Sequence, residues 1–261
     1  MTVRHSPAIA NTPSSPPGRE REVLYDQIVH AYREYVSGSI PAVFGGLLVV
    51  VVMWQDVSHA TLLWWLAILY GATAARTFWS LRFSQQLPAK DAIDRWKWRF
   101  LIGSAGAGAI WGSSGILMFV PESLPLQMFL LGCLFALCAG SVSVIGYYLP
   151  AFYVFATALI VPSIVLHATL DKPINWFISA VCSLFLVAFL GFGRRQNRFV
   201  VESLTMRHEN TDLIEQLKAQ TLAAQSAMAK AERATQEAER AKEVAQLATR
   251  EIGRASCRER V

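Results

Sequence analysis

Charged residues are missing from long parts of this sequence. Asp, Glu, Lys and Arg make up 16% of the 261 residues and 53% are hydrophobic, which is atypical of a soluble domain. No Asp, Glu or Lys lies in any of six apolar runs, at roughly residues 39–54, 61–78, 100–120, 127–147, 150–170 and 174–193. Proton relays and ion paths through membranes usually need ionisable residues within the spans. The composition therefore argues against a pump or a coupled carrier.

The six apolar runs have the length of membrane-crossing helices. Each contains about 16–21 residues, close to the ~20 that an α-helix needs to cross about 30 Å of hydrocarbon. The predicted fold class is therefore all-α, with a six-helix transmembrane bundle over residues 39–193 and a long cytoplasmic coiled-coil helix after it. The connections 55–60, 121–126 and 171–173 are too short to build a ligand-binding domain. Any stimulus is therefore expected to act within the membrane or at its surfaces.

Basic residues predict the orientation of these spans. The connections 55–60, 121–126 and 171–173 contain only Lys172, so 23 of the 24 Lys and Arg residues fall on the other side, which the positive-inside rule makes cytoplasmic. Both termini are expected inside. Most tryptophans fit an aromatic belt, with Trp54, Trp64, Trp65 and Trp176 near the outer interface, Trp79, Trp96 and Trp98 near the inner one, and Trp111 in mid-span.

Cysteine is also scarce, and no metal or catalytic motif is present. Cys133, Cys138, Cys182 and Cys257 form no CxxC pair, which argues against a disulfide framework or a metal site. We predict no catalytic, cofactor-binding or metal-binding residue in this chain. His167, near the outer end of the fifth run, has two interpretations: a pH-sensing or ligand-binding residue, or an interfacial residue satisfied by water or the backbone, which is favoured.

Small residues recur at helical spacing in two of the runs. They are four residues apart in each, at Ser104, Gly108 and Gly112 in the third run and at Gly132, Ala136 and Gly140 in the fourth. Such stripes let helices approach closely. Packing within one bundle is the favoured interpretation, and a dimer face is the alternative. Pro162 predicts a kink in the fifth span.

The chain before the first run divides into two parts. Residues 1–19 are rich in Pro and Ser, and we predict that they are disordered. Residues 20–38 are predicted as a juxtamembrane amphipathic helix, because Leu24, Ile28, Ala31 and Tyr35 fall on one helical face. This helix either lies on the inner leaflet or extends the first span.

After the sixth run the sequence becomes polar. Its seam residues, mostly alanine, recur at spacings that alternate between four and three residues without a break. Residues 194–250 are therefore predicted as a signalling coiled coil. Its seam is mostly alanine, at Leu213, Leu217, Gln220, Ala224, Ala227, Ala231, Ala234, Ala238, Ala241, Ala245 and Ala248. Alanine buries less apolar surface than leucine, so the seam should be weak. A single solvated helix acting as a spacer is the alternative.

Three segments carry a resemblance to a known family. They read RWKWRFLIGSAGAGAIWGSSGILMFVP, AGSVSVIGYYLPAFYVF and NRFVVESLTMRHENTDLIEQLKAQTLAAQSA. Residues 20–250 resemble the six-span input region of proteobacterial sensor histidine kinases, many of them hybrid kinases. The resemblance implies a location in the bacterial inner membrane, a homodimer, and a kinase domain that uses ATP and Mg to phosphorylate a histidine. The partners implied are the lipid bilayer and a response regulator; nucleic acid is not expected.

The catalytic motifs of that family are absent from this sequence. The family's alanine-rich helix leads into a Ser-His-Asp-Leu-Arg-x-Pro motif, and no histidine follows His208 here. His208 lacks the surroundings of that motif, so the phosphoacceptor role is not transferred to it. Similar membrane regions precede diguanylate cyclase (GGDEF) domains, which gives a second interpretation. A non-enzymatic membrane scaffold or channel is the third.

The last residues, EIGRASCRERV (251–261), differ in character from the heptads before them. They can be encoded by a common short-read sequencing adapter read in frame, so we expect a non-native tail that replaces the continuation towards the phosphoacceptor domain. Gly253 is expected to break the helix, as foreign sequence would.

Overall fold

The described structure is entirely helical. A computed structural model describes residues 17–86 and 92–258, with side chains described at 21–86, 92–237, 239, 240 and 242. Within these residues the elements are α1 (Pro17–Met53), α2 (His59–Gln85), α3 (Ile93–Leu117), α4 (Leu124–Ile145), α5 (Leu149–Ala168) and α6 (Pro173–Arg258). The prediction of an all-α chain is confirmed at this level, with six helices counted, several of them apolar and the last one long.

Five of these helices are long and apolar enough to cross a membrane: α1, α3, α4, α5 and α6. α2 is not among them, because its apolar run is diluted by Trp64, Trp65, Tyr70 and Arg76. Proline marks several helix starts, at Pro125 in α4, Pro150 in α5 and Pro173 in α6. Proline suits the first helical turn because its missing N–H would have no partner there.

α1 continues from the predicted juxtamembrane helix at 20–38 into the first apolar run. It is one helix of 37 residues that includes Pro41, as the alternative of an extension of the first span expects. Residues 17–19, predicted as disordered, belong to α1, whereas residues 1–16 lie outside the described residues. The predicted apolar face does exist, with Ile28, Ala31 and Tyr35 buried. Other helices cover it, which favours the extension of the first span over a helix lying on the inner leaflet.

The chain divides into two units, Met1–Leu204 and Thr205–Val261. In the first unit α3 packs along α5, and α1 packs against α2 and α4. Glycine permits the closest of these approaches, because a Cβ at Gly108 or Gly112 would overlap backbone carbonyl oxygens of Phe155 and Ala158 in α5. The small residues of α3 therefore serve packing within one chain, as predicted.

The matching stripe on α4 behaves differently. Gly132, Ala136 and Gly140 are exposed, and a Cβ at Gly132 or Gly140 would meet nothing within 4 Å. Packing of this stripe against another helix of the same chain was the favoured prediction, and it is wrong.

The second unit is the distal part of α6. Its described side chains from Glu209 onward are exposed, including Leu213, Leu217, Leu222 and Met228. The seam positions Ala238, Ala241, Ala245 and Ala248 lie outside the described side chains. α6 runs through Gly253 to Arg258, so the expectation that Gly253 breaks the helix is wrong. Residues 259–261 of the predicted tail lie outside the described residues.

Candidate functional site

A cavity of about 520 Å³ lies among the helices of the first unit. Residues of α1, α2, α3 and α4 form most of its wall, and Phe155 of α5 closes one side. Pockets of about 300–1,000 Å³ with apolar walls and a few polar groups are typical ligand sites. This cavity is the strongest candidate site in the described part of the chain.

Small residues on facing helices leave this space unfilled. Glycine and alanine line the wall on four helices, at Gly38, Ala42, Gly45, Ala72, Ala107, Ala136 and Gly140. Tight contacts hold the helices around it, since a Cβ on Gly38 would overlap Val144 of α4 and a Cβ on Gly46 would lie 2.6 Å from Leu69 of α2. The cavity therefore arises from small side chains between helices that are packed elsewhere.

Of the described residues that line this cavity, Arg76 alone has a charged side chain. Its Nη2 donates a hydrogen bond to Oγ of the buried Ser104 (3.1 Å), and its Cζ lies 4.2 Å from the ring centroid of Tyr35. The Phe100 ring centroid is 5.9 Å from the same atom. Cation–π contacts of this kind contribute about 0.5–2 kcal/mol each. No carboxylate lies within ion-pair distance of Arg76 among the described residues.

A second cavity, of about 320 Å³, shares Arg76 and Tyr35 with the first. Arg99 also lines it, with its Cζ 5.1 Å from the ring centroid of Trp79 and 4.9 Å from that of Trp96. Both charged residues in the walls of the two cavities are therefore arginines. The site is electropositive where the cavities meet.

Tyr32 organises the aromatic cluster beside the second cavity. Its hydroxyl donates to the carbonyl oxygen of Trp96 (3.1 Å), and its ring stacks on Phe83 with centroids 4.2 Å apart. The hydroxyl of the buried Ser80 donates to the carbonyl oxygen of Tyr32. These contacts tie α1, α2 and α3 together, so they fix the helices that carry Arg76 and Arg99.

The cavity is connected to α6 through the turn between α4 and α5. Val144 and Ile145 line the cavity at the end of α4. The side-chain amide of Asn197, on α6, donates to the carbonyl oxygens of Gly146 (3.0 Å) and Tyr147 (2.9 Å) in the turn that follows. His30 of α1 stacks on Tyr147 with centroids 5.7 Å apart. Asn197 therefore ties α6 to the turn that follows the cavity-lining end of α4.

His167 is buried among the helices of the first unit, and its interfacial depth stays a prediction. It is 2% exposed, and its Nδ1 donates to the carbonyl oxygen of Ser163 (2.8 Å), so the backbone does satisfy one nitrogen. Its Nε2 and the hydroxyl of Ser163 have no hydrogen-bond partner. The Phe119 ring packs edge-on against the imidazole, with centroids 5.6 Å apart.

The tryptophans divide into exposed and buried groups. Trp64, Trp98 and Trp176 are well exposed, as a belt requires. Trp65 is only 3% exposed and packs edge-on against Trp111, so its assignment to the belt is wrong. Its indole Nε1 donates to the carbonyl oxygen of Ile110 (2.8 Å).

Sequence reasoning missed the roles of Arg76 and Asn197. Arg76 is the only Arg, Lys, Asp or Glu within the six apolar runs, and that isolation was the signal that could have identified it. Asn197 stands in a polar segment without any such signal. No group of three or more His, Cys, Asp or Glu residues that could hold a metal ion occurs among the described residues.

Comparison of the chain with protein-family models, curated proteins and solved structures yields no match. The described residues form an all-helical fold with five helices long and apolar enough to cross a membrane. They also enclose an apolar cavity that ends at the half-buried Arg76.

Proposed function

We propose that this chain is the membrane input and dimerisation module of a two-component sensor histidine kinase. Six helices cross the bacterial inner membrane as a bundle, and both termini lie in the cytoplasm. The distal part of α6 pairs with a second copy as a coiled coil and relays a membrane-associated signal to a kinase domain. That domain uses ATP and Mg and passes the phosphoryl group to a response regulator.

The observation that carries the proposal is the link between the cavity and α6. The end of α4 lines the cavity, and Asn197 of α6 is bonded to the turn that follows α4. α6 continues as one helix to Arg258. Because a packed helix moves as a rigid element, displacement of α4 would shift or rotate α6. An input module needs such a path from a stimulus site to an output helix.

The proposed orientation is supported by the distribution of charge and by α2. The 23 basic residues on one side include Arg82, Arg95 and Arg99, which flank the connection between α2 and α3. α2 is the least apolar of the six helices proposed to span, but Leu62, Trp65 and Leu69 on it are buried against the other helices. A helix covered in this way needs less lipid-facing apolar surface.

The proposed dimer is supported by the exposure of the heptad positions. Leu213 and Leu217, at seam positions, are 54% and 61% exposed in the single chain. Apolar side chains at heptad spacing are buried when a second helix packs against them. The alanine seam that follows gains little from burial, so the paired helices can change twist or register at low cost.

A cysteine-crosslinking scan tests this proposal. Single cysteines are placed at each position from 217 to 248 in a variant whose four native cysteines are replaced by alanine, and membranes are oxidised. Crosslinking should peak every three or four residues, at positions such as Leu217, Ala224 and Ala231. Uniform reactivity along the helix would show that the stalk is unpaired and would refute the dimeric relay.

The identity of the output domain is tested separately, by the DNA sequence of the parent locus. A Ser-His-Asp-Leu-Arg-x-Pro motif shortly after the heptads supports the kinase. A Gly-Gly-Asp-Glu-Phe motif would refute it and would favour the input region of a diguanylate cyclase.

A further inference from the structure

At the electropositive end of the cavity, the described residues place no carboxylate beside Arg76. Arg76 carries a permanent charge, because a guanidinium is not deprotonated in proteins. Among the described residues its neighbours are the hydroxyl of Ser104, the ring and hydroxyl of Tyr35, and the face of Phe100. Arg99, in the wall of the second cavity, rests on the faces of Trp79 and Trp96. Burying a charge without an opposite charge is costly.

The rest of the first cavity is apolar. Leu48, Leu69, Ile110, Trp111 and Leu137 contribute to its wall, together with the glycines and alanines already named. The few other polar groups are hydroxyls, and those of Ser39, Thr73 and Ser141 are bonded to carbonyl oxygens of their own helices. The site therefore has one charged end and a long uncharged body.

We propose that the cavity binds a single-chain amphiphilic carboxylate, such as a medium- or long-chain fatty acid. The carboxylate lies at Arg76, within reach of Arg99, and the acyl chain occupies the apolar body between α1 and α4. Arginine binds a carboxylate through two parallel hydrogen bonds, which suits a guanidinium whose described neighbours are hydroxyls and aromatic rings. The volume of about 520 Å³ matches a drug-sized ligand and favours one acyl chain over the two chains of a phospholipid.

This inference deepens the proposed function, on which it rests: the carboxylate is the membrane-associated signal. Its chain would contact Val144, and the turn that follows Val144 is held by Asn197 of α6. A ligand that stabilises one position of α4 would thereby bias the position of α6. A ligand shifts such an equilibrium only by its difference in affinity for the two states.

Binding is tested with the full chain in nanodiscs of phosphatidylcholine, which contain no anionic lipid. The probe is a stearate spin-labelled near the end of its chain, which quenches tryptophan fluorescence, and Trp111 lies in the cavity wall. Wild-type protein should show saturable quenching at alkaline pH, and excess dodecanoate should abolish it. Dodecanol, which has the same chain without the charge, should compete at least about tenfold less well, because hydrogen bonds to charged groups are the stronger ones.

Two matched pairs of variants locate the site. Arg76→Gln should weaken binding by about tenfold or more, whereas Arg82→Gln removes a charge of the same helix outside both cavities and should leave binding unchanged. Gly140→Leu should block the acyl chain, because Gly140 lines the cavity and a Cβ there meets nothing within 4 Å. Gly132→Leu adds the same bulk on the same helix outside the cavity wall and should bind normally.

Any one of four results would overturn the inference. Quenching does not saturate, or dodecanol competes as well as dodecanoate does. Alternatively, Arg76→Gln binds the probe like wild type, or phosphatidylglycerol displaces the probe as well as dodecanoate does. The last result would assign the site to a two-chain lipid. Melting temperatures of all four variants are measured to show whether each is folded. If Arg76→Gln is poorly folded, Arg76→Lys serves as a second variant: it keeps the charge and should bind the probe more tightly than Arg76→Gln does.

The relay is measured in the same nanodiscs, so that the two proposals fail separately. A cysteine at a seam position of α6 is crosslinked with and without dodecanoate. If binding saturates and depends on Arg76 but dodecanoate does not change the crosslinking, the proposed ligand is supported and the relay is refuted. A periodic seam without carboxylate binding refutes the ligand and leaves the dimeric module standing.

Discussion

Gly112 on α3 lies so close to α5 that a Cβ atom at this position would overlap the carbonyl oxygen of Ala158. The same Cβ would be 2.9 Å from the carbonyl oxygen of Leu159 and 3.1 Å from Cγ of Pro162. Backbone atoms cannot rotate away as a side chain can, so the two helices would have to separate. The absence of a side chain at Gly112 therefore sets the distance between α3 and α5.

Gly112→Ala should destabilise the protein for this reason. Overpacking a well-packed contact typically costs about 1–3 kcal/mol, although alanine favours a helix over glycine by up to ~1 kcal/mol. Unfolding in detergent, followed by loss of helical circular dichroism, measures the difference. Gly106→Ala on the same helix is the control, because a Cβ there meets nothing within 4 Å and should leave stability unchanged or slightly higher. Equal effects at both positions would contradict the close approach.

Asn197→Ala should loosen the turn between α4 and α5. The substitution removes the donor that bonds to Gly146 and Tyr147, and a lost hydrogen bond costs about 1 kcal/mol. Hydrogen–deuterium exchange should therefore become faster at residues 146–148 while the rest of α5 keeps its protection. Gln196→Ala, which removes an adjacent amide about 100° round the helix, should leave that exchange as in wild type. Unchanged exchange in Asn197→Ala would mean that the turn does not depend on α6.

The sequence predicts the helices better than it predicts what covers them. Each of the six apolar runs falls mostly within one of the six helices, and the spacing of Ile28, Ala31 and Tyr35 identified the buried face of α1. Periodicity shows which residues share a face, but not which helix lies against that face. This is why two similar small-residue stripes have different surroundings, one packed on α5 through Gly112 and the other exposed around Gly132.

The candidate site could be predicted only in part for the same reason. The cavity depends on which small residues from four helices face one another, and no local pattern contains that information. Arg76 was visible as an isolated charge, but its partners Tyr35 and Ser104 are separated from it by long stretches of chain. The sequence left two alternatives open for residues 20–38, because Pro41 and the change in polarity near residue 38 resemble a helix boundary, whereas the structure has one continuous helix there.

Trp65→Phe should destabilise the protein although it keeps an aromatic ring. The phenyl ring can still pack against Trp111, but the hydrogen bond from the indole nitrogen to the carbonyl oxygen of Ile110 is lost. We expect a loss of about 1 kcal/mol in the free energy of unfolding. Trp64→Phe changes a neighbouring ring that is 72% exposed and should have little effect on stability. If Trp64→Phe costs as much as Trp65→Phe, the buried position of Trp65 is contradicted.

Gly115 and Ser163 form a pair whose coupling a double-mutant cycle can measure. A Cβ on Gly115 would lie 2.5 Å from the hydroxyl oxygen of Ser163, while the next nearest atom of that residue, its Cβ, would be at an ordinary 3.7 Å. Gly115→Ala alone should therefore destabilise the protein by forcing the hydroxyl aside. Ser163→Ala alone should cost little or be stabilising, because the buried hydroxyl has no hydrogen-bond partner.

The double variant Gly115→Ala/Ser163→Ala should recover most of the stability lost in Gly115→Ala. Residues in direct contact show interaction energies of about 0.5–3 kcal/mol, and here the sign should be favourable because the clash is removed. The carbonyl oxygen of Ser163 still accepts from His167 in the alanine variant, so that bond is preserved throughout the cycle. Unfolding in detergent is measured for all four proteins. Strict additivity would mean that the cost of Gly115→Ala comes from somewhere other than the hydroxyl of Ser163.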